Sequence, residues 1–250
     1  MTWIEEERGG VRIFRPASPP PRTVVAFSGR GHAPAGEPAP TAFLARRFSN
    51  ALGLDGTPIH WGKQVHGVAA TAVREAAVPG EHNVGECDAL ATDRHEAALV
   101  VQTADCVPIL LAAPGAIAAA HAGWRGSAKN VARAAIAALS ELGVPPGTVR
   151  AWLGPSIGPC CYEVRGEVAA QFAGDFVRAG SGGGFRLDLR GVNASQLAAA
   201  GVPAAAISVH PDCTRCGGER FASYRRDGER AGRMIALVAR LNQDAASSKQ

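Results

Sequence analysis

Apolar residues fall along this chain in short runs separated by glycine, proline and polar clusters, the punctuation of many short strands. Two adjacent runs, residues 107–111 and 116–120, are joined by Ala113-Pro114-Gly115 and predict a hairpin. Runs at 11–15, 23–28, 68–73, 97–102, 149–154, 185–189 and 207–209 predict further strands. Helical spacing is rarer. Thr41 with Leu44, Phe48 and Leu52 predicts a helix stopped by Gly53, and Ser127 caps a predicted helix to about Leu142 with Val131, Ala135 and Leu139 inward. Val168, Phe172 and Phe176 predict another, Asn193 and Leu197 a small one, and residues 228–241, with Ile235, Val238 and Leu241, a last one. The polar stretch 74–87 reads as loop.

Interleaved strands and helices with hairpins predict an α/β fold: a mixed β-sheet with packed helices, in a single domain over 1–242 with a disordered polar tail at 243–250. With 250 residues and 46% hydrophobic content the chain can bury a sizeable core. A net charge of only +4 without a basic block argues against nucleic acid or membrane as partner, and acids at the N-terminus without an apolar leader predict a cytoplasmic location. Six cysteines in such a compartment read as metal ligands, catalytic thiols or core.

The predicted hairpin brings Cys106, ahead of the first strand, beside His121, at the end of the second. His66, in Gln64-Val65-His66-Gly67, is a third candidate. Two histidines and a cysteine make the ligand count of a catalytic zinc site, with one position left open. The same residues also fit a metal-free Cys–His dyad whose ring is oriented by Asp105 or Asp88. Arg125, Arg225 and Arg226 are the best anion-binding side chains, Arg125 because it sits in a glycine turn at a helix start. Cys213-Thr-Arg-Cys216 lacks a second C-x-x-C, and adjacent Cys160 and Cys161 are poorly disposed to face one ion. The expectation is therefore that Cys106 alone among these cysteines binds metal.

QVHG at 64–67, CDALATD at 87–93, TADCVPILL at 103–111, AAAHAGWRG at 118–126, WLGPSIGPCCYEV at 152–164 and FASYRRD at 221–227, followed by Gly232-Arg233-Met234, occur in order. Together they resemble the YfiH-like laccase-domain family, also described as multicopper polyphenol oxidases or peptidoglycan editing factors. The resemblance implies an α/β domain similar to a cysteine-hydrolase fold and a metal site on His66, Cys106 and His121, holding zinc with copper as the alternative ion. It implies purine nucleoside chemistry: phosphorolysis of adenosine, inosine and methylthioadenosine, and adenosine deamination. The residues expected to carry it are Cys106, His121, His66 and Arg125 at the reacting centre, with Arg125, Arg30, Gln64, Asp105 and Arg225 toward nucleoside and phosphate. A small-molecule enzyme of this kind is expected as a monomer or weak dimer. Peptidoglycan-precursor amide hydrolysis by Cys106 and His121 is the alternative, and copper-dependent phenol oxidation a side activity. Against oxidation as the main role, a multicopper centre takes about ten histidines, typically in H-x-H pairs; this chain has seven and no such pair. The family's Ser-Leu-Asn-Leu-Gly segment has no counterpart after Arg30-Gly31, where residues 32–40 are rich in proline and alanine.

Overall fold

The computed structural model describes residues 2–31, 41–74 and 78–242; the divergent 32–40 segment and the predicted tail lie outside them. The chain opens with strands β1 (Trp3–Arg8), β2 (Val11–Pro16) and β3 (Thr23–Ser28), then helix α1 (Thr41–Ala51). Next come β4 (Ile59–Lys63), β5 (Ala70–Ala72), β6 (Glu81–Glu86), β7 (Ala89–Thr92), β8 (Ala97–Thr103), β9 (Val107–Ala113) and β10 (Ala116–Ala122). Helices α2 (Trp124–Ala128) and α3 (Val131–Glu141) follow, then β11 (Arg150–Leu153), β12 (Glu163–Val164), α4 (Gly166–Ala169), β13 (Val177–Ala179), β14 (Phe185–Leu187), α5 (Leu189–Ala199) and β15 (Ile207–Val209). The last elements are α6 (Tyr224–Asp227) and β16 (Met234–Arg240).

The strands form a seven-stranded sheet, β1-β2-β3-β16-β8-β4-β6, a six-stranded sheet, β15-β11-β9-β10-β7-β5, and a small β12-β14-β13 sheet. Parallel and antiparallel pairs occur in both large sheets, as a mixed topology requires. Side-chain alternation explains how they stack. In β8, Leu99 and Val101 join Phe27, Leu110 and Trp152 between the two sheets, whereas Ala98 and Val100 face Leu44 and Phe48 of α1. In β10, Ile117 and Ala119 face the other sheet, whereas Ala118 and Ala120 pack with Val131 and Leu139 of α3. The result is a helix–sheet–sheet–helix sandwich, two facing sheets where one had been expected.

Four local expectations change. Residues 234–240 form β16, a strand between β3 and β8, not a helix. Met234, Ala236 and Val238 face one layer and Ile235, Leu237 and Ala239 the other, so both faces are apolar and the period-2 signal disappears. Residues 81–86 are an edge strand, paired parallel to β4, whose exposed face is polar. The long helix starts at Val131, because Asn130, in the left-handed conformation at φ 66°, caps it through the backbone N–H of Arg133. Ser127 instead receives a hydrogen bond from buried Asn193 at 2.9 Å. Of the helix expected near Phe172, only Gly166–Ala169 is α-helical.

Candidate active site and metal centre

Strand register assembles the site. In the β9–β10 hairpin Pro108 pairs with His121 and Val107 with Ala122, which sets Cys106 opposite Gly123 just past the ladder. On the other side of β10, Ala120 pairs with Ala89, and the N–H of His121 donates to the carbonyl of Asp88 at 2.8 Å. The loop after β4 then brings in His66. The ligand atoms of His66, Cys106 and His121 all lie within 4.8 Å of one another.

Asp88, fully buried, holds this arrangement together. Its Oδ1 accepts from His121 Nδ1 at 2.8 Å and from the His66 N–H at 3.0 Å. Its Oδ2 accepts from the N–H groups of Val65 at 3.1 Å and Gly67 at 2.7 Å. Burial pushes this carboxyl up, but the hydrogen bonds from His121 and Gly67 more than offset it and hold it below the usual carboxylate range. Two consequences follow. The Nδ1 proton of His121 is pinned, so Nε2 is the nitrogen that can offer a lone pair to a metal once its own proton is displaced. His66, at φ 59°, is held in a left-handed conformation that costs about 1–2 kcal/mol for a non-glycine residue.

Burial would raise the Cys106 thiol, yet the charge and hydrogen bond of His121 and a hydrogen bond from His66 bring it down to about 6. Burial would likewise lower His121, yet the Cys106 thiolate and Asp88 raise it to about 9. Without metal the pair is thus a thiolate–imidazolium pair at neutral pH. Gly123 completes the fit: a Cβ there would stand 2.7 Å from His66 Cδ2 and 3.2 Å from Cys106 Sγ. Two imidazoles and a thiolate, one imidazole backed by a carboxylate, suit zinc or copper, and His66 is exposed toward a cavity of about 430 Å³.

The other expected residues divide. Gln64 lines the cavity, but its side-chain amide exchanges two 2.8 Å hydrogen bonds with the backbone of Gln102. Asp105, left-handed at φ 85°, takes no part in orienting His121. It accepts instead from Thr214 Oγ1 at 2.5 Å and the N–H of Arg225 at 2.7 Å, so it fastens the 213–227 segment to the site. Arg225 lines the cavity with its guanidinium 5.3 Å from the Tyr162 ring centre and donates to the carbonyl of Glu163. Arg125 is exposed and stacked 4.4 Å over Trp124, outside the cavity lining, and α2 behind it is only five residues long. The expected long helix mouth at Arg125 is therefore absent. Arg30 pairs with Glu219 at 2.8 Å and is not among the residues that line the cavity. Arg226 is taken up by Asp227 and by the carbonyls of Gly218 and Phe221. Sequence reasoning passed over Tyr162 and Arg233, both lining the cavity; their signal was membership in the ordered motifs, since neither has a telling spacing.

Cys160, Cys161, Cys213 and Cys216 also converge, their Sγ atoms within 4.8 Å of one another. The turn at 158–161 turns both adjacent thiols toward Cys216, a disposition the sequence argued against.

Comparison with known proteins finds relatives in sequence and in fold. Residues 37–241 match the family model described as multi-copper polyphenol oxidoreductase laccase. A purine nucleoside phosphorylase of Streptomyces coelicolor is 41% identical over 207 residues, covering 80% of this chain and 83% of that one. An adenosine deaminase of an unknown prokaryotic organism is 38% identical over 176 residues, 67% of this chain and 65% of the other. The crystal structure of YlmD from Geobacillus stearothermophilus superposes with a TM-score of 0.83 at 29% identity, covering 96% of this chain and 100% of that one.

Proposed function

The chain belongs to the multi-copper polyphenol oxidoreductase laccase family, and on that premise we propose that it processes purine nucleosides, by phosphorolysis and by adenosine deamination. The observation that carries the proposal is the His66–Cys106–His121 cluster facing a cavity that Arg225, Arg233 and Tyr162 also line. Relatives at about the same identity bear the names of both activities. A zinc-class ion on the three ligands would supply Lewis acidity and an activated water, the chemistry deamination needs.

Phosphorolysis asks for different things of the chain. A phosphate oxygen must bond to ribose C1′ while the C1′–N9 bond breaks and its electron pair leaves on the base. Arg225 and Arg233 offer positive charge to hold the phosphate dianion on the cavity wall. Burial, with the nearby Cys106 thiolate, pushes the Tyr162 phenol up to about 12, so it remains a hydrogen-bond donor at neutral pH and suits a departing base. Asp88 keeps His121 and His66 in place through the cycle.

A second reading has its own support: Asp88, His121 and Cys106 form a carboxylate–imidazole–thiolate array, the geometry of a cysteine amidase. One experiment separates the two. Metal-replete protein incubated with inosine and phosphate should release ribose 1-phosphate, and with adenosine it should release ammonia, both activities falling in His66→Ala. Absence of ribose 1-phosphate overturns phosphorolysis. Amide hydrolysis that survives chelation but not Cys106→Ala establishes the amidase.

A further inference from the structure

We propose that Cys160, Cys161, Cys213 and Cys216 form a second metal centre, a closed structural site that takes zinc on four thiolates. Cysteine is among the most buried residue types. Here Cys160 and Cys216 are exposed and Cys161 half-buried, yet all four sulfurs gather within 4.8 Å. Neutral thiols are weak hydrogen-bonding partners and have little reason to converge at a surface. A zinc ion with Zn–S bonds of about 2.3 Å spaces its sulfurs about 3.8 Å apart. The Sγ of Cys216 lies 3.7 Å from that of Cys160 and 3.1 Å from that of Cys161, a cluster of that scale.

The backbone around the cluster is built to present it. Both Cys161 and Tyr162 donate from N–H to the Gly158 carbonyl at 2.9 Å, a tight turn that aims two consecutive thiols the same way. The Gly217 N–H closes back on the Cys213 carbonyl at 2.8 Å, winding the C-x-x-C into a single loop. The N–H of Gly158 donates to Cys213 Sγ at 3.2 Å, the kind of contact that a thiolate ligand accepts. A side chain at position 158 would collide: its Cβ would stand 2.4 Å from an Arg190 nitrogen and 3.3 Å from both Cys160 Sγ and Cys213 Cβ.

Charge fits as well. Zinc with four thiolates carries a net charge of −2, and two arginines stand beside the cluster. Buried Arg190 donates to the carbonyls of His210, Pro211 and Asp212, the three residues leading into Cys213. Arg186 donates to the carbonyl of Cys160. Four protein ligands leave no open position, so the site is structural and not catalytic. What it would secure is clear from Thr214, inside the C-x-x-C, which bonds Asp105 next to Cys106. The clip would hold the 213–227 segment, with Arg225, against the cavity.

Metal counting on the full chain purified under reducing conditions tests this. Wild type equilibrated with zinc and desalted should hold two ions per chain. A variant with both His66→Ala and Cys106→Ala should keep one, and adding Cys161→Ser and Cys216→Ser to it should leave none. Because the first variant does not touch the cysteine cluster, its count decides the matter even if the last does not fold. Cobalt in the first variant should give the intense sulfur-to-metal charge-transfer band of a tetrathiolate. No retained metal there, with all five remaining cysteines (the cluster and Cys87) free by denaturing thiol titration or a Cys161–Cys216 disulfide by mass, overturns the proposal. A single ion in wild type that persists in the first variant would support this site while removing metal from the proposed active centre.

Discussion

Asp88→Asn isolates the group on which the active-site geometry depends. Each carboxylate oxygen accepts two hydrogen bonds, Oδ1 from His66 N–H and His121 Nδ1, and Oδ2 from Val65 and Gly67 N–H. An asparagine keeps one acceptor oxygen and presents an NH2 in place of the other. If the NH2 faces the backbone pair, the Val65 and Gly67 donors are left unsatisfied in a buried site. If it faces the other pair, His66 N–H loses its acceptor and His121 must accept at Nδ1, which moves its ring proton to Nε2 and blocks the ligand atom. Each hydrogen bond to a charged acceptor contributes about 1.5–3 kcal/mol, so losing two costs about 3–6 kcal/mol, a large share of the roughly 5–15 kcal/mol that stabilises a typical domain. Zinc affinity should fall by about 10–100-fold, the usual effect of removing a carboxylate behind a histidine ligand. Zinc competition against a chromophoric chelator measures the affinity, and urea unfolding of the metal-free protein measures the stability. Zinc binding within about threefold of wild type would refute this account of His66 and His121.

Two further outcomes follow from the same geometry. Gly123→Ala should leave folding stability within about 1 kcal/mol of wild type, because φ −74° and ψ 169° suit any residue; its Cβ displaces the His66 ring instead, so zinc affinity should drop by about tenfold or more, and an unchanged affinity in a competition titration would contradict the fit. Zinc affinity of the wild type should also climb with pH, since below about 9 His121 holds a proton that the metal must displace while Cys106, at about 6, is already a thiolate. The expected rise is about tenfold per pH unit from pH 7 to 9, flattening above, and a flat titration would mean that His121 is neutral or not a ligand.

Much of this site was legible in one dimension. A Pro-Gly turn between two apolar runs sufficed to bring Cys106 beside His121, because hairpin pairing is a local event with few registers that keep both runs buried. Glycines beside His66 and after His121 marked where the backbone must turn, and ordered motifs gave the family. Tertiary structure alone decided the rest. Asp88 and Asp105 were equal candidates to orient His121, and only the pairing of β7 with β10 put Asp88 opposite it while Asp105 turned to Thr214 and Arg225. Residues 234–239 carry no period that distinguishes strand from helix, since burial on both faces makes every position apolar; membership in the centre of a sheet is a property of its neighbours. The four-cysteine cluster is the sharpest case. Cys160 and Cys161 lie more than fifty residues from Cys213, and no spacing rule joins an adjacent pair to a distant C-x-x-C. The pairing of β11 with β15 runs the two following loops side by side, and that non-local contact brings the thiols together.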